Sequence, residues 1–183
     1  MLTLPLYPIL FILIKLSSPG PFIFKQKRIG KNKIPFMMYK FRTMVKDADK
    51  LRAKYAKMNE LGGPLYKITN DPRHTWIGRI MIRTTIDELP QLINIVKGEM
   101  AFVGPRPFPI YEAEKISKKY DKRYSVLPGL TGPWVIKGFH DLPFDEWMRL
   151  DVEYAKEKNT LYDINIVLQT AVMLLKLIVT KLI

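Results

Sequence analysis

The most informative run of residues in this chain is Thr85-Ile86-Asp87-Glu88-Leu89-Pro90-Gln91-Leu92. Threonine is a favoured helix N-cap, and a glutamate three positions later completes a capping box, so we predict that a helix begins at Thr85. Gly98 follows the last apolar turn and predicts the end of this helix. The helical repeat predicts two faces, a buried stripe of Leu89, Leu92, Ile93 and Val96 and a polar side of Asp87, Gln91 and Asn94.

Two interpretations of Asp87 and Glu88 follow from this position. Carboxylates at a helix start meet unpaired N–H groups and the positive end of the helix dipole, so the pair can be purely structural. The same environment keeps an aspartate ionised, and an ionised aspartate can attack phosphorus. A neighbouring carboxylate can then hold Mg²⁺ against a diphosphate. The helix pattern alone leaves both interpretations open.

The net charge narrows the class of partner. Thirty basic side chains against 17 acidic ones leave a formal charge of +13 in a chain of 183 residues, a length that suits one domain. Such an excess favours nucleic acid, anionic lipid surfaces or phosphorylated small molecules. No basic helix carries a known recognition motif, so we do not expect nucleic-acid binding. The absence of cysteine excludes thiol catalysis, and His74 and His140 are not at zinc-ligand spacing.

Apolar segments lie at both ends of the chain. Residues 2–16 are too short for a membrane span, and the prolines within them predict a kinked, membrane-embedded segment, with a buried core helix as the alternative. Residues 164–183 are interrupted by polar side chains and predict an interfacial or docked helix. We therefore divide a single domain into a membrane-embedded part (1–21), a cytosolic catalytic part (22–163) and a C-terminal helix (164–183).

The middle of the chain predicts an α+β fold that is mostly helical. Residues 22–28 and 34–44 are rich in aromatic and branched side chains, and Gly30-Lys31-Asn32-Lys33 between them predicts a β-hairpin. Helices are predicted at 47–60, ended by Leu61-Gly62-Gly63-Pro64, from the Thr69-Asn70-Asp71-Pro72 start to Met81, and at 110–120.

Several basic side chains could bind the phosphates of a substrate. Arginine is preferred for this purpose because its planar fork makes bidentate contacts. Arg106 stands out because the prolines on either side of it restrict its backbone. Each candidate could equally be a solvated surface charge; the candidates are Lys25, Arg28, Lys40, Arg42, Arg73, Arg83, Arg106 and Arg123.

The chain contains seven different short motifs, and the resemblance that they carry runs from about Leu4 to Asp163. They are Ser18-Pro19-Gly20-Pro21, Lys25-Gln26-x-Arg28-x-Gly30, Tyr39-Lys40-Phe41-Arg42-Thr43-Met44, Asp71-Pro72-Arg73, Asp87-Glu88-Leu89-Pro90-Gln91-Leu92, Gly104-Pro105-Arg106-Pro107 and Pro128-Gly129-Leu130-Thr131-Gly132. Together they resemble the phosphoglycosyl transferases of the bacterial sugar transferase family. Those proteins are monotopic membrane enzymes that start glycoconjugate assembly on undecaprenyl phosphate.

The resemblance implies a role for each part of the site. Asp87 would be the nucleophile that attacks the β-phosphate of a UDP-sugar, Glu88 the Mg²⁺ ligand, and Arg106 a phosphate contact. UMP leaves, and polyprenyl phosphate then takes the phospho-sugar from the aspartate. The family works at the bacterial inner membrane, with its catalytic part on the cytoplasmic face, in the synthesis of capsule, exopolysaccharide or lipopolysaccharide. It enters the membrane through a re-entrant helix that breaks at a Ser-Pro pair.

Two departures from the family pattern keep a second hypothesis open. Leu4-Pro5 stands where the family has its Ser-Pro pair, so we expect a membrane helix that is abbreviated or truncated. After Gly132 the chain reads Trp134-Val135-Ile136-Lys137-Gly138-Phe139, where the family commonly has a Gln-Val-x-Gly-Arg run. The alternative function is therefore a catalytically weak, basic module of the same family that binds anionic membrane surfaces.

Overall fold

The computed structural model describes residues 6–60, 65–138 and 142–182 of the chain. It is a mixed fold of helices and short strands. The helices are α1 (Leu6–Ser17), α2 (Trp76–Arg83), α3 (Leu92–Val96), α4 (Ile110–Ala113), α5 (Pro133–Ile136), α6 (Phe144–Glu157) and α7 (Thr160–Leu182). The strands are β1 (Ile23–Ile29), β2 (Pro35–Phe41), β3 (Ala101–Val103) and β4 (Gly129–Thr131).

The chain groups into two compact units. The first unit consists of Met1–Lys25, Tyr39–Glu60 and Tyr66–Pro90, and the second of Gln26–Met38, Leu61–Leu65 and Gln91–Ile183. The predicted hairpin is confirmed, because β1 pairs with β2 and a 3-10 turn at Lys31–Lys33 joins them. Asn32 and Lys33 have positive φ angles of 54° and 60°, which reverse the chain within this short loop.

The core of the first unit is formed where α1 packs on α2. Its buried residues are Leu10, Ile14, Phe41, Ile77 and Met81. Helix α2 begins one residue after Thr75, whose side chain accepts a hydrogen bond from the N–H of Gly78, so the predicted start near Thr69 lies too early. The opposite face of α1 exposes Ile9, Phe11, Ile12 and Leu16. Helix α1 therefore buries only one side in the core.

None of the helices in the described part of the chain is both long and apolar enough to cross a membrane. The prediction for the Leu4-Pro5 pair concerns residues outside the described ranges.

The prediction of a helix from Asp47 to Glu60 is wrong. Successive turns lie there instead, followed by a 3-10 turn at Ala56–Met58. Asp47 has a φ of 59°, and hydrogen bonds such as that from the N–H of Lys50 to the carbonyl of Asp47 close turns of four residues. Met58 is 47% exposed, so the predicted apolar face buries too little to stabilise a helix. The predicted stop at residues 61–64 is outside the described ranges.

The prediction for the run at Thr85 is wrong in two respects. Residues Ile86–Gln91 form a 3-10 turn before α3, and Thr85 has a left-handed φ of 57° instead of the extended conformation of an N-cap. The faces are also reversed, because Asp87, Gln91 and Asn94 are buried while Leu92, Ile93 and Val96 are exposed. Gly98, with a φ of 72°, ends the segment as predicted.

Buried polar contacts explain the reversal in α3. The side-chain amide of Asn94 donates to the carbonyl of Met37 at 2.7 Å and to Glu99 at 2.6 Å. A polar side chain with such partners can be buried at little cost, whereas without them its burial would be unfavourable. The helix therefore turns its polar side inward, against the expectation from hydrophobic periodicity.

The second unit is built around a parallel pair of short strands and two tryptophans. Strand β3 pairs with β4 in the register Ala101–Gly129 and Val103–Thr131. The rings of Trp134 and Trp147 stack with centroids 5.4 Å apart. The predicted helix at 110–120 is shorter than expected, since α4 ends at Ala113 and a separate 3-10 segment spans Lys118–Ser125.

Helix α7 packs on this unit through Ile166, which is fully buried in a cluster with Val103 and Tyr154. This supports the docked interpretation of the C-terminal apolar segment. The other side of α7 remains apolar and exposed, at Leu161, Ile164, Val167, Leu168, Val172 and Leu175.

Candidate active site

Asp87, Glu88 and Lys40 meet in the first unit. The Lys40 ammonium lies 2.5 Å from Oε1 of Glu88 and 3.5 Å from Oδ2 of Asp87. All three side chains are largely buried, with exposed fractions of 17%, 24% and 9% for Lys40, Glu88 and Asp87. One cation therefore faces two adjacent carboxylates where solvent screening is reduced, which strengthens their interaction.

The local sequence explains how the two carboxylates are presented. Ile86 and Leu89 pack against the core of the first unit and anchor the 3-10 turn on both sides of Asp87 and Glu88. The N–H of Glu88 donates to the carbonyl of Thr85 at 3.1 Å. A β-branched residue with positive φ is a real outlier, and such strain at about 1–3 kcal/mol often marks a functional site. The turn thus presents both side chains from a rigid, strained backbone.

Lys40 reaches this turn from β2. Its neighbour Phe41 is 1% exposed and fixes this end of the strand in the core of the first unit. We predicted that Lys40 binds phosphate. In the structure its described partners are the carboxylates of Asp87 and Glu88. Lysine is a compact point charge on a flexible stem, so it can move between a carboxylate and a phosphate oxygen.

The donor set at this turn suits Mg²⁺ better than zinc. Within the described residues there is no group of three or more His, Cys, Asp and Glu side chains that could hold a metal by themselves. Mg²⁺, however, is commonly bound through one or two carboxylates together with water and substrate phosphates. Glu88 and Asp87 supply that number of carboxylates.

The guanidinium of Arg42 forms hydrogen bonds with backbone carbonyls in and after the last turn of α1. Its guanidinium donates to the carbonyls of Pro21 at 2.7 Å, Ile14 at 3.0 Å and Ser18 at 2.5 Å. Burial lowers the pKa of Arg42. Gly20 has a φ of 131°, and a Cβ there would lie 2.5 Å from the Arg42 guanidinium, so only glycine fits. Arg42 thus holds the chain after α1 in place.

The other basic candidates of the first unit differ in exposure. Arg73 forms a buried ion pair with Asp71, which accepts from Nη2 at 2.5 Å. Burial alone would raise the pKa of Asp71, but the hydrogen bonds and charge of Arg73 hold it below its ordinary value. Lys25 and Arg83 are exposed. Arg73, Lys25 and Arg83, like Arg42, remain predictions as phosphate contacts.

The second unit contains the Gly104-Pro105-Arg106-Pro107 segment, which follows β3. Although the segment has no regular secondary structure, each of its carbonyls accepts a hydrogen bond from a distant residue. Gly104 accepts from the Trp134 indole at 3.3 Å, Pro105 from the N–H of Gly129 at 3.0 Å, Arg106 from Arg123 at 2.6 Å and Pro107 from Arg28 at 2.6 Å. The prolines cannot donate, so acceptor contacts are the main way to fix this backbone.

Arg28 and Arg123, two predicted phosphate ligands, therefore support this backbone. Arg28 also donates to Gln26, and Arg123 donates through Nε and Nη2 to Oδ2 of Asp151 at 3.0 and 2.7 Å. Arg106 is only partly buried, and its guanidinium lies 5.2 Å from the Trp134 ring centroid. Among the basic candidates of this unit, Arg106 has the side chain best placed to meet a ligand.

Residues of α6 that were not predicted from the sequence also support this segment. Asp151 is fully buried beside Arg123, and Tyr154 donates to the carbonyl of Val103 at 3.0 Å. Burial raises the pKa of Asp151 to about 6, although the charge of Arg123 opposes the change. The spacing in the sequence could have indicated that Asp151 is buried. It lies four residues after Trp147 and three before Tyr154, on the helix face that these aromatics bury.

Comparison with known proteins places these motifs in one family. The profile of the family described as bacterial sugar transferase matches residues 1–177. The chain is 43% identical over 152 residues to the galactosyl transferase CpsE of Streptococcus agalactiae, a match that covers 82% of this chain and 34% of CpsE. It is 35% identical over 170 residues to the exopolysaccharide production protein ExoY of Sinorhizobium fredii, covering 91% of this chain and 75% of ExoY.

A third relative is the UDP-glucose:undecaprenyl-phosphate glucose-1-phosphate transferase of Escherichia coli, 37% identical over 166 residues, covering 86% of this chain and 33% of the relative. The chain thus spans about a third of the length of this enzyme and of CpsE. The profile match extends over nearly the whole chain. It includes the 3-10 turn that carries Asp87 and Glu88 (the Asp-Glu turn) and the segment from Gly104 to Pro107 (the Pro-Arg-Pro segment). The chain therefore belongs to the bacterial sugar transferase family.

Proposed function

We propose that this protein transfers a sugar 1-phosphate from a UDP-sugar to undecaprenyl phosphate and releases UMP. The observation that carries the proposal is the pairing of Asp87 and Glu88 on one strained turn, with Lys40 facing both carboxylates. Of the relatives named above, the Escherichia coli enzyme is named for transfer from UDP-glucose to undecaprenyl phosphate and ExoY for exopolysaccharide production, which supports the same class of reaction.

The reaction would proceed in two displacements at phosphorus. An oxygen of the Asp87 carboxylate attacks the β-phosphorus of the UDP-sugar, and the bond from that phosphorus to the bridging oxygen breaks, so UMP leaves with the electron pair. An oxygen of undecaprenyl phosphate then attacks the aspartyl phosphate and frees the carboxylate. No proton needs to move in either step, so the site requires electrostatic stabilisation more than a general base.

Lys40 and Glu88 share this electrostatic work in the first unit. Lys40 can neutralise phosphate charge close to Asp87, and Glu88 would hold Mg²⁺ together with phosphate oxygens of the substrate. When bound, the ion would neutralise the diphosphate and make UMP a better leaving group. Arg106 offers a planar fork that suits bidentate phosphate binding.

We further propose that the first unit rests on an anionic bilayer at the cytoplasmic face of the membrane. Trp76, Ile80 and Arg83 lie on one exposed face of α2, at positions i, i+4 and i+7. Tryptophan and arginine suit the lipid headgroup region, where their apolar parts are buried and their polar ends stay hydrated. The exposed apolar side chains of α1 extend from the same unit.

The first experiment is a UMP-release assay with Mg²⁺, undecaprenyl phosphate and a panel of UDP-sugars that begins with UDP-galactose and UDP-glucose. We expect UMP release with at least one donor. In the absence of undecaprenyl phosphate, a donor labelled in its β-phosphate should leave the label on the protein. Ping-pong kinetics should accompany this adduct.

The alternative hypothesis is tested in the same preparation. A basic membrane-binding module without catalysis would bind vesicles of anionic lipid in a salt-sensitive manner and release no UMP with any donor. For the membrane face itself, Trp76→Ser together with Ile80→Ser should weaken vesicle binding, whereas Lys27→Ser, an exposed change on β1, should have little effect. Equal binding by both variants would contradict the assignment of this face.

A further inference from the structure

Helix α6 supports Arg106 of the Pro-Arg-Pro segment both at its backbone carbonyl and at its side chain. The carbonyl of Arg106 is held by Arg123, which is 2% exposed and pairs with the fully buried Asp151 on α6. The guanidinium of Arg106 lies over Trp134, whose ring stacks on Trp147 of the same helix, one turn before Asp151. Backbone and side chain of Arg106 thus rest on neighbouring turns of one helix.

Arg123 bonds only one of the two carboxylate oxygens of Asp151. Nε and Nη2 of Arg123 both donate to Oδ2 of Asp151, and within the described ranges Oδ1 accepts no hydrogen bond. Burying an ion pair is costly, and an incompletely bonded pair stabilises the fold less than well-packed apolar side chains would. Stability therefore does not account for these two residues.

Arg123 has a contact that an apolar side chain could not provide. Its Nη2 donates at 2.6 Å to the carbonyl of Arg106 and at 2.7 Å to Asp151, so one nitrogen joins the carboxylate to the backbone of the segment. The rings of Phe108 and Tyr124 lie 4.6 and 4.9 Å from the guanidinium carbon and limit its movement. Asp151 thus sets the direction in which Arg123 donates.

We propose that Arg123 and Asp151 are positioning residues for Arg106. They fix the peptide group after Arg106, where Pro107 has no N–H to donate, and thereby hold the guanidinium ready for a diphosphate. This inference rests on the proposed role of Arg106 as the phosphate contact. Neither Arg123 nor Asp151 touches the substrate in this arrangement.

The test combines single and double variants with two measurements. The affinity for UDP is measured by titration calorimetry, and kcat and KM are measured for UMP release from UDP-glucose and UDP-galactose. We expect Arg106→Ala and Asp151→Asn each to weaken UDP binding about tenfold, the usual effect of losing one charge-assisted contact. In the double variant the loss should be no greater than in Arg106→Ala alone, because Asp151 acts through Arg106.

A lysine at position 123 separates positioning from simple charge pairing. Arg123→Lys retains the charge opposite Asp151 but has no fork to reach both the carboxylate and the carbonyl of Arg106. We therefore expect it to lose UDP affinity as Asp151→Asn does, while it unfolds at nearly the wild-type denaturant concentration. This variant also keeps the test valid if Asp151→Asn does not fold. Met148→Ala, a buried change on α6, controls for lost stability and should retain UDP affinity.

The outcomes distinguish the inference from the proposed function. Losses that multiply in the double variant, or full UDP affinity in Arg123→Lys, would overturn the positioning role while leaving the function intact. An Arg106→Ala variant with unchanged UDP affinity would remove both the phosphate contact and the reason for positioning it. If the wild type releases no UMP from any donor, the catalytic proposal fails, and the calorimetric titration with UDP still decides the positioning role.

Discussion

The Asp-Glu turn of the first unit and the Pro-Arg-Pro segment of the second are held in place by opposite means. The turn is anchored by apolar side chains, Ile86 and Leu89, and contains a strained residue, Thr85. The segment is anchored through its backbone, because each carbonyl from Gly104 to Pro107 accepts a hydrogen bond from elsewhere in the unit. Side-chain burial thus positions Asp87, the proposed nucleophile, and backbone bonding positions Arg106.

This difference predicts where each region will be sensitive to mutation. In the turn, the carboxylates and Lys40 can be changed with their anchors intact, so such changes should act mainly on chemistry. In the segment, the close backbone packing around Gly104 is part of the fold, so changes to that packing should act mainly on stability.

The largest effect is expected at Asp87. Asp87→Asn removes the proposed nucleophile but keeps the shape of the side chain, so UMP release should fall by at least about 1000-fold, as when other covalent nucleophiles are removed. The denaturant midpoint should change little, because Ile86 and Leu89 still anchor the turn. Asp121→Asn, at an exposed ion pair with Lys33, is the control and should retain full activity. Undiminished UMP release from Asp87→Asn would contradict the nucleophile assignment.

A smaller effect is expected at Lys40. Lys40→Met retains most of the apolar stem but removes the cation that faces Asp87 and Glu88. We expect kcat to fall about 100-fold, the scale reported for removing one preorganised electrostatic contact. Lys27→Met makes the same chemical change at an exposed position of β1 and should leave kcat unchanged. Similar rates for the two variants would mean that Lys40 has no part in the reaction.

Glycine substitutions test the second region. A Cβ at Gly104 would lie 2.4 Å from the carbonyl oxygen of Leu127, so Gly104→Ala must displace backbone and should destabilise the protein by about 3 kcal/mol. Gly98 has nothing within 4 Å of its Cβ position but a φ of 72°, so Gly98→Ala should cost only about 1 kcal/mol. Urea unfolding of both variants measures the difference. Equal losses would contradict the tight packing of the segment.

The smallest effect concerns pH. Asp151 has a folded pKa of about 6, raised from 3.8, so its contribution to stability is fully present below pH 3.8 and is lost as the pH rises through 6. Between pH 7 and pH 5 the wild type should therefore gain about 1 kcal/mol relative to Asp151→Asn, measured by urea unfolding at both values. A pH-independent difference between the two proteins would show that the carboxyl does not titrate in this range.

His74, in the first unit, changes the pH dependence of stability in the opposite direction. Burial lowers its pKa, so its contribution is present above pH 6.5 and is lost as the pH falls through its folded value. Comparing wild type with Asp151→Asn at each pH cancels the contribution of His74, which both proteins share.

The sequence by itself determined the hairpin, the stop at Gly98 after α3, the family and the pairing of two carboxylates at one turn. These features depend on local chemistry, such as turn residues and alternating apolar side chains, or on motifs whose order is visible in the sequence. It also singled out Arg106 as a candidate phosphate contact, because the prolines on either side are adjacent to it in the chain.

Only the tertiary structure decided which side of residues 86–96 is buried and what the other arginines do. Arg28 contacts a carbonyl 79 positions away in the sequence, and Arg123 a carboxylate 28 positions away. Periodicity reports which residues share a face, but not what lies opposite that face. A buried polar side chain is tolerated when a distant partner satisfies it, and such partners become adjacent only in the folded chain.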